Sequence, residues 1–261
     1  VSRRAWVRQI MGMPISIHIR GEDVDSPVVA RAVEEAFALL READRLFSTY
    51  QENSEVSRIR RGELDPTEAD TLVRQVAAEC QRAVEITQGA FTDVLPGDDG
   101  VLAFDPTGLV KGWAADRAAS RLADLSAASF CLNAGGDVVV GGTISEANGE
   151  PGQAWRVGIE DPRDRSRIAE VVELHHGGVA TSGTAARGAH LYDPATSIFV
   201  DRRASLSVVV PRLLWADVWS TPIFVGAPSL SEALSDVAVR CRAVSLSCSL
   251  CPPPSVLGWR Y

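Results

Sequence analysis

The chain has 261 residues, enough for one large domain or two small ones packed closely, and 46% of them are hydrophobic, which excludes a disordered chain. A formal net charge of −8 with scattered arginines excludes a nucleic-acid footprint, and no run approaches the roughly 18 consecutive apolar residues of a membrane helix. The 5 cysteines do not read as a disulfide framework, and Cys241, Cys248 and Cys251 lack the fourth ligand of a zinc site, so free or buried thiols are expected.

Residues Val1 to Met13 carry arginines but no apolar segment with a cleavage site. No secretory signal is therefore expected, and the location reads as cytoplasmic, with a leader or lipid anchor upstream of Val1 left open. Ile15, Ile17 and Ile19 alternate with Ser16, His18 and Arg20, which predicts a half-buried strand with His18 on its solvated face. Val29, Val33, Phe37, Leu40 and Phe47 recur at helical spacing and predict a long amphipathic helix ending near Tyr50. Asp65-Pro66-Thr67-Glu68 is a capping-box arrangement, predicted to open a second helix through Leu72, Val76, Cys80 and Val84 that stops at Gln88-Gly89. Asp105 to Gly112 reads as a glycine-containing loop leading into a third helix around Trp113, Ala118, Leu122 and Leu125.

Short strands are predicted over Phe130–Asn133, Val138–Val140, Trp155–Ile159 and Val171–Leu174, then Val179–Thr181 and Ser205–Val210. The adjacent His175 and His176 would face opposite ways in a strand, so they read as turn residues. A helical segment follows near Leu214. Strands joined by short glycine turns imply an α+β protein, with largely antiparallel sheets and packed helices. Residues 1–261 are read as one unit, with two lobes left open and 238–261 as a divergent Cys- and Pro-rich tail.

Of the 26 basic residues, Lys111 is the only lysine. In so arginine-rich a chain it is a candidate for a place where a compact ammonium is needed and a planar guanidinium will not serve. Asp217 and Thr221, four residues apart in a helical segment, would set a carboxylate and a hydroxyl on one face. Both are hard oxygen donors of the kind magnesium takes, although alone the pair reads more simply as a polar helix face. Pro222 is tolerable beside them if that helix begins near Asp217. Asn133-Ala134-Gly135-Gly136-Asp137 is either a plain tight turn or a close approach of backbone to a ligand. Thr181-Ser182-Gly183 offers two hydroxyls at a strand end. His190, just before Asp193-Pro194, is either structural or a proton shuttle. No nucleophile elbow, Walker loop or G-x-G-x-x-G fingerprint is present.

Taken in order, these segments resemble the ApbE family of flavin transferases. The elements are Met11-Gly12-Met13, Phe47-Ser48-Thr49-Tyr50 with Ser54-Glu55-Val56-Ser57, Gly89-Ala90-Phe91, and Gly108 to Asp116 with its lysine. Asn133 to Asp137, Ala180-Thr181-Ser182-Gly183, His190 to Pro194, and Ala216-Asp217 with Ser220-Thr221 complete the series. The resemblance implies an ApbE-like fold that binds FAD as substrate, with contacts from Met13, Tyr50, Lys111, Gly135, Gly136, Asp137, Thr181, Ser182, Gly183 and Asp193. It implies magnesium held by Asp217, Thr221 and the carbonyl of Val110. It implies transfer of FMN to a threonine or serine hydroxyl of an acceptor protein that carries a flavinylation motif, with release of AMP. Lys111 would stabilise charge or hold its loop, and His190 is the candidate base. A FAD pyrophosphatase giving FMN and AMP, and a flavin-binding module without turnover, are the alternatives. Five positions depart from the family pattern: Thr92 for an aspartate, Pro106 and Thr107 in the lysine loop, Ser197 for a glycine, and Pro222 beside Thr221.

Overall fold

The computed structural model describes residues 1–97, 100–142, 152–184, 191–201 and 204–226. His190, the three C-terminal cysteines and the tail from 238 lie outside the described residues.

Ile15, Ile17 and Ile19 are fully buried on one side of a strand, β2 (Met13–Gly21), as the alternation predicts. A strand that the sequence reading left unassigned, β1 (Ser2–Ile10), pairs antiparallel with it. Met11 and Gly12 between them have φ of 55° and 69°, the two positive values that a primed hairpin turn requires. Most of β1 is exposed, so it carries no apolar alternation by which to recognise it.

Three helices follow, α1 (Pro27–Phe47), α2 (Glu55–Arg60) and α3 (Thr71–Ile86). Ser26 caps α1, its hydroxyl accepting from Val29 N at 3.3 Å, and Pro27 occupies the first turn, where no donor is lost. Helix α3 starts later than the Asp65-Pro66 signal predicts. The Asp65 carboxylate instead closes a separate turn, accepting from Thr67 N at 2.8 Å, and Asp70 caps the helix through Leu72 N at 2.8 Å. Two short strands, β3 (Val94–Pro96) and β4 (Leu102–Phe104), pair with each other and lead into α4 (Thr107–Ala123). The Asp105 carboxylate accepts from Thr107 N at 3.0 Å, so helical backbone begins there. Gly108, Lys111 and Gly112 therefore lie in the first turns of α4, not in a loop as the glycines suggest.

The remaining strands are β5 (Ala128–Ala134), β6 (Asp137–Gly142), β7 (Trp155–Asp161), β8 (Asp164–Leu174), β9 (Gly177–Gly183), β10 (Leu191–Asp193), β11 (Ile198–Val200) and β12 (Ser205–Val210). The last described element is α5 (Leu213–Val225). It starts four residues earlier than Asp217, so Pro222 falls inside it rather than near its first turn, and the helix still runs on to Gly226, whose φ is 84°. Six strands form one antiparallel sheet in the order β1-β2-β5-β6-β9-β12. The pairs β7–β8 and β10–β11 are separate hairpins.

The three successive valines of β6 show how the sheet is covered. Val139 joins Ile17, Leu132, Ala180 and Val208 in the large core shared with α1, α4 and α5. Val138 and Val140 point the other way and pack with Val157, Ile159, Val172 and Val179 under the β7–β8 hairpin. The guanidinium of Arg20 lies 3.3 Å from the centre of the Trp155 ring and donates to the carbonyls of Gln153 and Ala154, fastening the hairpin to β2. His18 shares this face. It is half-buried, with a ring nitrogen 3.1 Å from Ser16 Oγ, and burial holds its pKa below the usual value, so it is not the solvated residue that the alternation predicts.

Ser197 has φ of 58° and its N–H donates to Asp193 O at 2.8 Å, closing the turn between β10 and β11. A left-handed residue favours glycine, so Ser197→Gly is expected to raise stability by about 0.5–1 kcal/mol, net of the unfolded-state entropy of glycine. An unchanged or lower urea midpoint would contradict this.

Candidate active site

Three elements bring charge to one place. Lys111 comes from α4, Asp137 opens β6, and Asp217 stands on α5. Lys111 Nζ is 2.5 Å from Asp137 Oδ2 and 3.5 Å from Asp217 Oδ1. The other carboxylate oxygens meet backbone. Asp137 Oδ1 accepts from Thr181 N at 3.0 Å, and Asp217 Oδ2 accepts from Gly112 N at 3.1 Å. Both carboxylates are buried, so two negative groups share one ammonium and the cluster keeps a net negative charge.

Burial pushes Asp217 up to about 6, with the charge of Asp137 acting the same way and Lys111 and the Gly112 N–H acting against them. A carboxyl raised on folding binds more protons in the folded than in the unfolded chain between its ordinary pKa and about 6. Its contribution therefore lowers stability as pH rises through that window and is constant above it. In metal-free buffer, Asp217→Asn is expected to flatten this part of the stability–pH curve. Denaturant melts between pH 4 and pH 8 check it, and parallel curves for the two proteins would refute it.

Hydroxyls form a directed chain behind the carboxylates. Ser220 Oγ donates to Asp217 O at 2.9 Å, and Ser182 Oγ lies 2.7 Å from Ser220 Oγ and 3.0 Å from Thr221 Oγ1. Each hydroxyl has one proton. Ser220 spends its proton on the carbonyl, so Ser182 donates to Ser220 and Thr221 donates to Ser182. The Thr221 oxygen is left as a lone-pair donor. Two hard oxygens on one helix, beside a net negative cluster, fit a magnesium ion that takes its remaining ligands from phosphate and water. Among the described residues, no group of three or more His, Cys, Asp or Glu side chains is placed to hold a metal alone.

A cavity of about 390 Å³ opens beside Lys111. Asn133, Gly135, Gly136, Asp137, Thr181 and Gly183 line its sheet side, and Arg156, Gly158, Glu160, Asp161 and Arg165 of the β7–β8 hairpin line the other. Gly135 and Gly136 have φ of 63° and 106°, and Asn133 Oδ1 accepts from Gly136 N at 2.8 Å, so the turn is rigid and has no side chain of its own. A Cβ on Gly135 would stand 2.5 Å from Met13 Sδ, which puts Met13 directly over that turn. Cys131 also lines the cavity, but burial raises its thiol to about 11, so it stays protonated and is no nucleophile.

Lys111, Asp137, Gly135, Gly136, Thr181 and Gly183 thus meet at the cavity, with Met13 against its turn. Ser182, Asp217 and Thr221 stand together on the β9–α5 side, and Val110 precedes Lys111 in α4. Tyr50 is 97% exposed and is not among the lining residues. Asp193 is engaged by its own turn, accepting from Ala195 N at 3.0 Å and Thr196 Oγ1 at 2.8 Å. Strands at Trp155–Ile159 and Val171–Leu174 were read from the sequence, but nothing in it says that their hairpin packs here as a wall of the cavity.

The ApbE family model matches residues 11–97 and 92–241, and the chain belongs to that family. Among curated relatives, a FAD:protein FMN transferase of Klebsiella pneumoniae is 30% identical over 47% of this chain and 36% of its own length. That of Escherichia coli is 33% identical over the same shares, and that of Haemophilus influenzae is 24% identical over 74% of this chain and 71% of its own. The match to the Klebsiella and Escherichia relatives thus spans little more than a third of their length. The fold is shared with the ApbE protein of Thermotoga maritima, at TM-score 0.68 and 23% identity over 90% of this chain and 91% of that one. It is shared also with the apo Pseudomonas stutzeri flavinyl transferase ApbE, at TM-score 0.68 and 22% identity over 86% and 84%.

Proposed function

We propose that this protein transfers FMN from FAD to a threonine or serine hydroxyl of an acceptor protein, with release of AMP and dependence on magnesium. The observation that carries the reading is the Lys111–Asp137–Asp217 set, with both carboxylates buried, beside a glycine-lined cavity. Phosphoryl transfer asks mainly for positioning and charge neutralisation, and these residues supply both.

Asp217 and Thr221 would hold the magnesium, with the Val110 carbonyl added by family resemblance. Bound there, the ion supplies neutralisation of phosphate charge that one ammonium cannot provide alone. Lys111 faces the phosphates as a point charge, its ammonium set between two carboxylates. The bare turn at Gly135-Gly136 lets the pyrophosphate or ring edge approach the backbone. In the reaction, the acceptor oxygen bonds to the FMN-side phosphorus and the phosphorus–oxygen bond to AMP breaks. The hydroxyl proton passes to a base, for which His190 is the candidate. The acceptor is a protein, as a family of protein-directed flavin transferases implies.

The test is incubation with FAD, with and without magnesium, and with and without a carrier bearing a flavinylation segment. A fluorescent carrier band together with AMP, both lost in Asp217→Ala, is the expected result. AMP without a labelled carrier would assign FAD hydrolysis instead. FAD binding with neither product would leave a flavin-binding module.

A further inference from the structure

Helix α5 carries Asp217 and Thr221, yet the side chain of its own N-cap residue, Arg212, makes no capping hydrogen bond and lies instead 3.4 Å from Asp116 Oδ2. The first four N–H groups of a helix need partners from elsewhere. Here Ala216 N makes the first ordinary helical bond, to Arg212 O at 3.2 Å, and Trp215 N donates to the same oxygen at 3.1 Å. The two residues before them donate to one side chain on another helix: Leu213 N to Asp116 Oδ1 at 3.0 Å and Leu214 N to Asp116 Oδ2 at 3.2 Å. Asp116 lies on α4, and its side chain is 13% exposed. Lys111 stands on the same helix, five residues before it. The α4–α5 distance is set at this point from both directions. A Cβ on Gly112 would meet Leu213 O and Leu214 Cα at 2.9 Å, while Asp116 pulls the same two residues in through their N–H groups.

We propose that Asp116 is a positioning residue of the reaction: by capping α5 from α4 it sets the separation of Asp217 from Lys111. The proposal rests on the transferase reading for its kinetic readout, but its geometry can be tested without it. Leu213 begins the turn that ends at Asp217, so a freed start of α5 moves that carboxylate directly. A misplacement of about 1 Å is enough to cost up to about 100-fold in rate.

The experiment compares Asp116→Ala, Asp116→Asn and the double variant Asp116→Ala/Arg212→Asp with wild type. Arg212 has φ −125° and ψ 130°, extended backbone on which an aspartate can cap its own helix. With a single lysine in the chain, labelling with side-chain ¹³C lysine gives one reporter signal for Lys111. Asp116→Ala is expected to shift that signal and to speed exchange of the α5 N-terminal amides. It should lower kcat about tenfold or more while the KM for FAD stays within about twofold. Asp116→Asn, with one carbonyl acceptor left, should fall between, and the double variant should recover part of the signal, the protection and the rate. A folded Asp116→Ala protein with an unmoved Lys111 signal would overturn the proposal, as would a double variant that restores helix protection but not the signal. If wild type transfers no FMN, the transferase reading fails, and the lysine signal and amide exchange still decide the role of Asp116.

Discussion

Lys111→Arg is expected to fold and to lose flavin transfer by about 100-fold or more, the scale seen when one charge-stabilising donor is removed from a reaction site. Lys111 Nζ sits 2.5 Å from one carboxylate and 3.5 Å from a second, in a space bounded by two helices and a strand. A guanidinium keeps the charge but is wider and planar, so it cannot take the same point between Asp137 and Asp217. Lys111→Met goes further. It leaves two buried carboxylates facing each other, and removing one partner of a buried ion pair costs roughly 3–5 kcal/mol. The Met variant should therefore show a lower urea midpoint as well as lost activity, with part of the stability regained toward pH 5 as a carboxyl takes up a proton. Wild-type kcat in the arginine variant would show that the ammonium is not needed.

Gly112→Ala is expected to be almost as damaging, although it adds one methyl group. The new carbon would lie 2.9 Å from Leu213 O and from Leu214 Cα, and 3.0 Å from Asp217 Cβ. Two of these atoms are backbone and the third carries the carboxylate, so relief comes only by moving α5 away from α4. Overpacking of this kind costs about 1–3 kcal/mol, and the displaced carboxylate should take the flavin-transfer rate down by at least tenfold. Thermal melts and kcat on the purified variant check both parts. A variant with normal rate and midpoint would mean that α5 yields there without loss.

Much of this was legible in the sequence, and the gaps have physical causes. The alternation of Ile15, Ile17 and Ile19 marked β2 because one face is wholly apolar. Strand β1 escaped because it is exposed along most of its length and carries no such pattern. The Asp105-Pro106-Thr107 segment was read as a loop, since glycines at 108 and 112 look like breakers. The Asp105 turn that starts α4 and the close approach of α5 make Gly112 a packing residue inside a helix instead. Lys111 stood out by being alone among arginines, and the structure gives it two carboxylate partners. The pairing itself was not readable, because Asp137 and Asp217 come from different elements and are joined only by tertiary packing. Arg156 and Arg165 were invisible for the same reason. Ser197 was noted as a departure from a family glycine, and its φ of 58° supplies the reason for the glycine.

Strand β6 acts as a partition. Its valines feed two apolar clusters that, among the described residues, have no residue in common, one under the helices and one under the β7–β8 hairpin. Changes to the hairpin wall are therefore insulated from the packing that holds α4 and α5 together. A lineage can remodel Arg156, Glu160 or Arg165 and alter the shape and charge of the cavity while the Lys111 cluster keeps its geometry. The wall of the cavity and the Lys111 cluster can therefore change independently and at different speeds.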